Sequence, residues 1–225
     1  MHRVEPKVFL IAEQRVRHND VNAYLDYIGA SGWTSDTGID CQELIEVMGR
    51  GCYKSFGTEL NPNITKVRGS NEEYLQNIIN IGHGSVLEHG WVSFMICDTS
   101  RVVTHELVRH RAGTAISQES LRFLRLEDMG LWIPQAYVSD APSEEIFEET
   151  WEYLEVQYTR LIERAEAIEG KDFDSLPFSK KKYYTSAARR VAPIGLATNI
   201  GWSCNIRSAR HIIEMRTDEH AEEEI

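Results

Sequence analysis

Arg109-His110-Arg111 is the densest group of anion-binding and proton-bearing side chains in the chain. Two guanidiniums flanking an imidazole suit phosphate or carboxylate ligands, because arginine presents a planar fork of donors that stays charged at ordinary pH. Successive residues of an α-helix step by about 100°, so Arg109 and Arg111 would point to nearly opposite sides of one. Either the helix has ended before them, or they contact different ligand groups or different subunits. A charged, solvated helix terminus is the plain alternative, since cations suit a helix C-terminus.

The residues that follow add polar chemistry. Gly113-Thr114-Ala115-Ile116-Ser117-Gln118-Glu119-Ser120-Leu121-Arg122 reads as a glycine-containing loop with hydroxyls, an amide, a carboxylate and another arginine. Such a loop can bind a nucleotide through backbone N–H groups and side chains together, and in isolation it is also an ordinary turn. Gly82-His83-Gly84-Ser85-Val86-Leu87-Glu88-His89 links a helix to a strand. Its two histidines and glutamate could be metal ligands but have no further clear partner, which favours a hydrogen-bonded loop. His105 and His110 flank Glu106 but stand five apart, not the four that zinc proteolysis on a helix needs, and no metal is expected. Near the C-terminus, Arg207 and His211 share a helix face, Asn205 precedes them, and Arg216 falls on roughly the opposite side. Neither a GxGxxG following a strand nor a P-loop is present, so neither accounts for nucleotide binding.

These residues stand out against the composition. The chain has 225 residues and a net charge of −11, which argues against general nucleic-acid binding. Within it arginines gather, at Arg101, Arg109, Arg111, Arg122 and Arg125, and again at Arg189, Arg190, Arg207, Arg210 and Arg216. The four cysteines, Cys41, Cys52, Cys97 and Cys204, lack metal-ligand or CxxC spacing and read as buried free thiols. No apolar run is long enough to span a bilayer and the N-terminus lacks a signal-like core, so the expectation is no membrane association and a cytoplasmic location.

The elements that position these residues suggest an α+β fold: a mixed sheet packed with long helices, in one domain over 1–225. Strands are expected at Lys7–Ala12, Trp91–Cys97 and Leu196–Ser203. Helices are expected at Val21–Tyr27, Gln42–Met48, Glu72–Ile81, from Ser100-capped Arg101 toward His110, from Ser143 to Gly170, and over Ser179–Val191. The Ser143 helix has Ile146, Tyr153, Leu154, Leu161, Ala165 and Ile168 as candidate buried positions. A last helix starts at Ser203 or Asn205 and includes Arg216. Asp218 to Ile225 still read as helix, and a chain that stops in mid-helix leaves truncation open.

In order, these segments resemble the flavin-dependent thymidylate synthases, the ThyX family. The resemblance is carried by Gly82 to His89, by His105-Glu106-Leu107-Val108-Arg109-His110-Arg111 through Ser117-Gln118-Glu119-Ser120-Leu121-Arg122-Phe123, by Arg189-Arg190-Val191-Ala192-Pro193, and by Asn205-Ile206-Arg207 to Met215-Arg216-Thr217. It implies a homotetramer that methylates dUMP to dTMP, with methylene-tetrahydrofolate as carbon donor and NADPH reducing the enzyme through FAD. By the resemblance, Ser85, Arg109, His110, Arg111, Gln118, Asn205, Arg207 and His211 hold FAD, with His83 and Glu88 lining the flavin pocket. Glu106, Gln118, Glu119, Ser120, Leu121, Arg122, Arg189 and Arg216 hold dUMP. Arg216 would stabilise charge on the uracil, and Ser120 would position or polarise it. No cysteine stands where a nucleophile is needed, and a reduced flavin can deliver hydride to C6 of uracil instead. Two features depart from the family pattern. Eight residues, Ala112 to Glu119, separate Arg-His-Arg from Ser120 where seven are usual, and relatives continue beyond residue 225. A deoxyuridylate hydroxymethylase on the same contacts, or a non-catalytic flavin-binding oligomer, are the alternative readings.

Overall fold

A computed structural model describes residues 2–123, 126 and 130–225. Arg125, counted above among the clustered arginines, lies outside the described residues. The strands are β1 (His2–Arg3), β2 (Lys7–Glu13), β3 (Trp91–Ser100), β4 (Thr114–Gln118), β5 (Gly130–Leu131) and β6 (Ala197–Asn205). The α-helices are α1 (His18–Tyr27), α2 (Asp40–Tyr53), α3 (Asn71–Asn80), α4 (Arg101–Leu107), α5 (Ala141–Glu169), α6 (Phe178–Ala188) and α7 (Ile206–Arg216). The fold is α+β. Its main sheet has the order β2-β3-β6-β4 with every pair antiparallel, and β1 pairs with β5 in parallel.

Strand β6 organises the site. Its residues alternate between half-buried and buried, the period-two signature of a strand with one face on a core. Ile200, Trp202 and Cys204 meet Leu107 from α4 and Ile212 from α7 in one apolar cluster, so both helices pack on the same face of the sheet. Strand β3 shifts register between Ile96 and Thr99, where Asp98 takes φ +56° and donates its N–H to Asn199 Oδ1 at 3.0 Å. The bulge delivers Ser100 to the start of α4, where its Oγ accepts from Val102 N at 3.1 Å and Val103 N at 3.4 Å.

Three local expectations are corrected. The polar stretch after Gly113 is a strand, β4, with Ile116 opposite Trp202; only one large apolar side chain in its sequence betrayed this. Helix α4 stops at Leu107 and does not reach His110; the chain turns through Gly113, at φ +67°, with Thr114 Oγ1 donating to His110 O at 2.8 Å. A Cβ at Gly113 would lie 2.2 Å from Asn205 Nδ2, so the turn needs glycine for both conformation and space. Beyond α7 the chain forms turns where helix was expected, because the Asp218 carboxylate captures the His220 N–H at 3.0 Å. Glu224 then folds back to accept from Ser100 N at 2.6 Å and Thr99 Oγ1 at 3.1 Å.

Helix α5 is capped by Asp140 and ends at Gly170 in the left-handed region, so it starts before Ser143. It buries Trp151, Tyr158 and Ala165, while the expected core residues Ile146, Tyr153, Leu161 and Ile168 are exposed. The helix carries two apolar stripes roughly a third of a turn apart, and hydropathy alone cannot choose between them. Helix α6 ends at Ala188, and Arg189–Val191 continues as a 3-10 turn.

Helices α2 and α3 form a second packing centre with the 3-10 segment Gly84–His89. A buried ion pair ties it together. Glu46 accepts from Arg50 Nε at 2.8 Å, from Asn71 Nδ2 at 2.7 Å and from Ser35 Oγ at 2.7 Å. Arg50 spends its other donors on the carbonyls of Ser55 (2.9 Å) and Arg68 (3.0 Å), and its guanidinium lies 4.7 Å from the Tyr74 ring centroid. With both charges only 2% exposed, each remains buried only because the other and these bonds compensate it.

Candidate active site

The end of α4, the turn after it and the face of α7 converge on His110. Its Nε2 accepts from Arg216 Nε at 3.2 Å, and its ring meets that of His211 edge-on at 5.9 Å. Arg216 also reaches Glu106, with Nη1 2.8 Å from Oε2. Although Arg216 and His211 leave α7 at different angles, both therefore reach one imidazole. Burial, then the positive charge of Arg216, holds His110 below the ordinary histidine pKa of 6.5, so it stays a neutral acceptor. The helix ending before Arg109 removes the opposed geometry a continuous helix would impose. Arg109 and Arg111 are exposed, and their guanidiniums pair with none of the described residues.

A second group lies at the β4–β6 edge. Glu119 is held by Asn199, which donates from its N–H at 3.0 Å and from Nδ2 at 2.8 Å. Gln118 Nε2 donates to Thr104 Oγ1 at 3.0 Å. Arg101 donates to Glu119 O at 3.1 Å and Thr198 Oγ1 at 3.5 Å, yet its buried Nε finds no partner among the described residues. Burial lowers the Arg101 pKa; the Glu119 carboxylate opposes that shift and the charge of Arg189 adds to it. One buried guanidinium donor of Arg101 is thus left without a partner among the described residues, and an anion would satisfy it. Ser120 Oγ accepts from Arg122 N at 3.3 Å, Leu121 is buried in the cluster containing Trp151, and the Arg122 side chain is exposed.

A third group borders the 3-10 segment. Arg207 Nη1 pairs with Glu88 at 2.6 Å, and Ser85 is exposed beside it. Asn205 caps α7, accepting from Ser208 N at 2.8 Å. Its carbonyl is thereby spent on the helix. His83 shares a 2.7 Å hydrogen bond with Tyr53.

Sequence reasoning assigned Arg101, Thr104 and Asn199 no site role. Arg101 was visible as one of the clustered arginines, but only the antiparallel pairing of β4 with β6 shows that it faces Glu119. Cys204 is fully buried and burial pushes its thiol up to about 11; Cys41 is also buried, Cys97 half-buried and Cys52 exposed, correcting the expectation of four buried thiols. Among the described residues, the one cluster with metal-ligand spacing, His18, Asp40 and Glu43, lies outside these groups, and no helix is long and apolar enough to cross a membrane.

The site is therefore of an arginine-rich class suited to anionic ligands, built on an antiparallel sheet and two helices. The chain belongs to the Thy1 family, described as thymidylate synthase complementing protein, whose model matches residues 36–225. It is 37% identical over 195 residues to the flavin-dependent thymidylate synthase of Mycobacterium tuberculosis (strain ATCC 25618 / H37Rv), covering 86% of this chain and 74% of that protein. The fold is similar to that of PolB, a UMP/dUMP methylase from Streptomyces cacaoi bound with 5-Br UMP. That match has a TM-score of 0.64 at 16% identity and covers 100% of this chain and 85% of the other. It is also similar to thymidylate synthase X from Helicobacter pylori with FAD and dUMP, with a TM-score of 0.58 at 18% identity, covering 98% and 88%.

Proposed function

We propose that this chain is a flavin-dependent thymidylate synthase that converts dUMP to dTMP, taking the one-carbon unit from methylene-tetrahydrofolate and reducing power from NADPH through FAD. The observation that carries this reading is the buried Nε of Arg101, which has no partner among the described residues, on a guanidinium that already reaches Glu119 O and feels the charge of Arg189. It supports an anionic substrate at the β4–β6 edge, and the names of the relatives supply dUMP as the anion. Arg101, Arg122 and Arg189 would hold the phosphate, while Gln118, Glu119, Ser120 and the backbone of Leu121 orient the nucleotide.

The donor set fits a flavin dinucleotide. Arg109 and Arg111 have forks that pair with none of the described residues and suit a diphosphate; with them we assign Ser85, His110, Gln118, Asn205, Arg207 and His211 to the flavin. FAD, when bound, supplies the hydride that makes a cysteine nucleophile unnecessary. That division of labour suits a chain whose Cys204 is fully buried and protonated at neutral pH. Arg216, fixed by Glu106 and His110, is already oriented, so stabilising charge on the uracil costs little reorganisation. Ser120 would act by position, so Ser120→Ala should keep measurable turnover; complete loss with intact dUMP binding would count against that role.

A cytoplasmic homotetramer, with 1–225 as one catalytic domain, completes the reading. Support comes from apolar surface on an edge strand (Val8, Phe9, Leu10 and Ile11 are 50–64% exposed) and from the second stripe of α5. The direct test is the spectrum of the purified protein reconstituted with FAD, followed by sedimentation. A flavin-binding tetramer is expected; a protein that takes up no FAD refutes the proposal.

A further inference from the structure

A cavity of about 200 Å³ opens beside His83, between α2, α3 and the loop that joins them. Its wall includes Tyr53, Ile64, Lys66, Arg68, Asn77 and His83. No carboxylate lines it among the described residues, although the chain as a whole carries a net charge of −11. The charge of Arg50, deeper in the wall, is answered by Glu46. Those of Lys66 and Arg68 are not answered. Lys66 pairs with no described residue, and Arg68 makes one side-chain bond, from Nη2 to Asn77 Oδ1 at 2.8 Å, leaving the rest of its fork open. In the same lining Tyr53 and His83 stack, with centroids 5.8 Å apart and planes 14° from parallel, and Ile64 adds apolar surface. A cleft lined by uncompensated cations and a stacked aromatic pair suits a ligand whose planar or apolar body ends in anionic groups.

We propose that this cavity is the anionic-tail subsite of a co-substrate, with Lys66 and Arg68 receiving the glutamyl carboxylates of methylene-tetrahydrofolate. The inference rests on the synthase reading above. The arginines assigned to dUMP are not among the residues lining the cavity, which leaves it for a different reactant. His83 leads directly into Gly84–His89, the segment that carries Ser85 and the Glu88–Arg207 pair, so the cavity borders a segment assigned to the flavin. NADPH offers the same chemistry through its phosphates, and the measurements separate the two sources.

Lys66→Ala, Arg68→Ala and the double variant would be prepared as FAD-reconstituted protein. Arg68→Ala leaves intact the backbone carbonyl that Arg50 uses. KM would be measured for mono- and triglutamyl methylene-tetrahydrofolate, NADPH and dUMP at two ionic strengths, alongside equilibrium titration with triglutamyl tetrahydrofolate and with NADPH. The double variant should raise the triglutamyl-folate KM and dissociation constant about tenfold or more, equivalent to ~1.4 kcal/mol. Its effect on the monoglutamyl form should be smaller, and its KM for dUMP and its flavin affinity should be unchanged. Wild-type folate affinity should fall with added salt and the variant's should not, a response that a merely structural role would not produce. A rise confined to NADPH would retain an anionic-tail subsite but overturn its assignment to folate. Unchanged affinities for both ligands, or lost flavin affinity, would overturn the proposal. Because the titrations need no turnover, they decide the matter even if the protein makes no dTMP, and that failure would bear on the synthase reading alone.

Discussion

Arg216→Ala should cost much activity and little stability. In the fold the Arg216 side chain is 17% exposed, its Glu106 partner is 34% exposed, and the guanidinium also donates to His110 at 3.2 Å. Exposed ion pairs contribute roughly 0–1 kcal/mol and breaking a buried one costs about 3–5, so this half-buried pair should be worth about 1 kcal/mol. In a chain of this size that corresponds to a fall in Tm of roughly 2–4 °C. If the same guanidinium stabilises charge developing on the uracil, its removal should lower kcat about 100- to 1,000-fold. Arg216→Lys keeps the charge but cannot contact Glu106 and His110 with one planar fork, so its kcat should fall between the two. Thermal melts followed by circular dichroism and initial rates at saturating dUMP would measure both effects. A folded Arg216→Ala protein that keeps kcat within about threefold of wild type, less than 1 kcal/mol of barrier, would refute the assignment.

Glu46→Ala strands a buried guanidinium and leaves Asn71 and Ser35 short of a partner, so denaturant unfolding should show a loss of about 3–5 kcal/mol; a loss below about 1 would contradict the buried-pair account. The folded-state pKa of His110 lies below its ordinary value of 6.5, so the unfolded chain takes up this proton first. Stability should therefore fall as pH drops through 6.5, and His110→Asn should flatten that part of a Tm-against-pH profile; an unchanged profile would show that His110 is not its source. Cys204→Ala should retain turnover within about twofold, and thiol alkylation at neutral pH should label exposed Cys52 in preference to Cys204, whose thiol is held near 11. Loss of activity in a folded Cys204→Ala protein would reopen a cysteine route.

Much of the frame was legible because it rests on local physics. Strand β3 is rich in β-branched and aromatic residues, Ser100 announced its helix as a capping residue, Ser203 or Asn205 was expected to open the last one, and Gly113 marked a turn. What failed depended on tertiary choice. The Thr114–Gln118 strand has a polar sequence and exists because β6 offers it a ladder, and α5 could have buried either of two stripes. The site divided along the same line. Ordered motifs pointed to His110, Glu119 and Arg216, but the convergence of Arg216 and His211 on His110 needs the register of β6 and the packing of α7. Arg101 acquired a role only when the sheet brought Glu119 and Thr198 to it.

The central claim is most directly tested by the mass of the nucleotide formed when FAD-reconstituted protein is supplied with dUMP, methylene-tetrahydrofolate and NADPH. The account predicts dTMP, formed only when all three are present. 5-Hydroxymethyl-dUMP, or unchanged dUMP from a protein that binds both flavin and nucleotide, would contradict it.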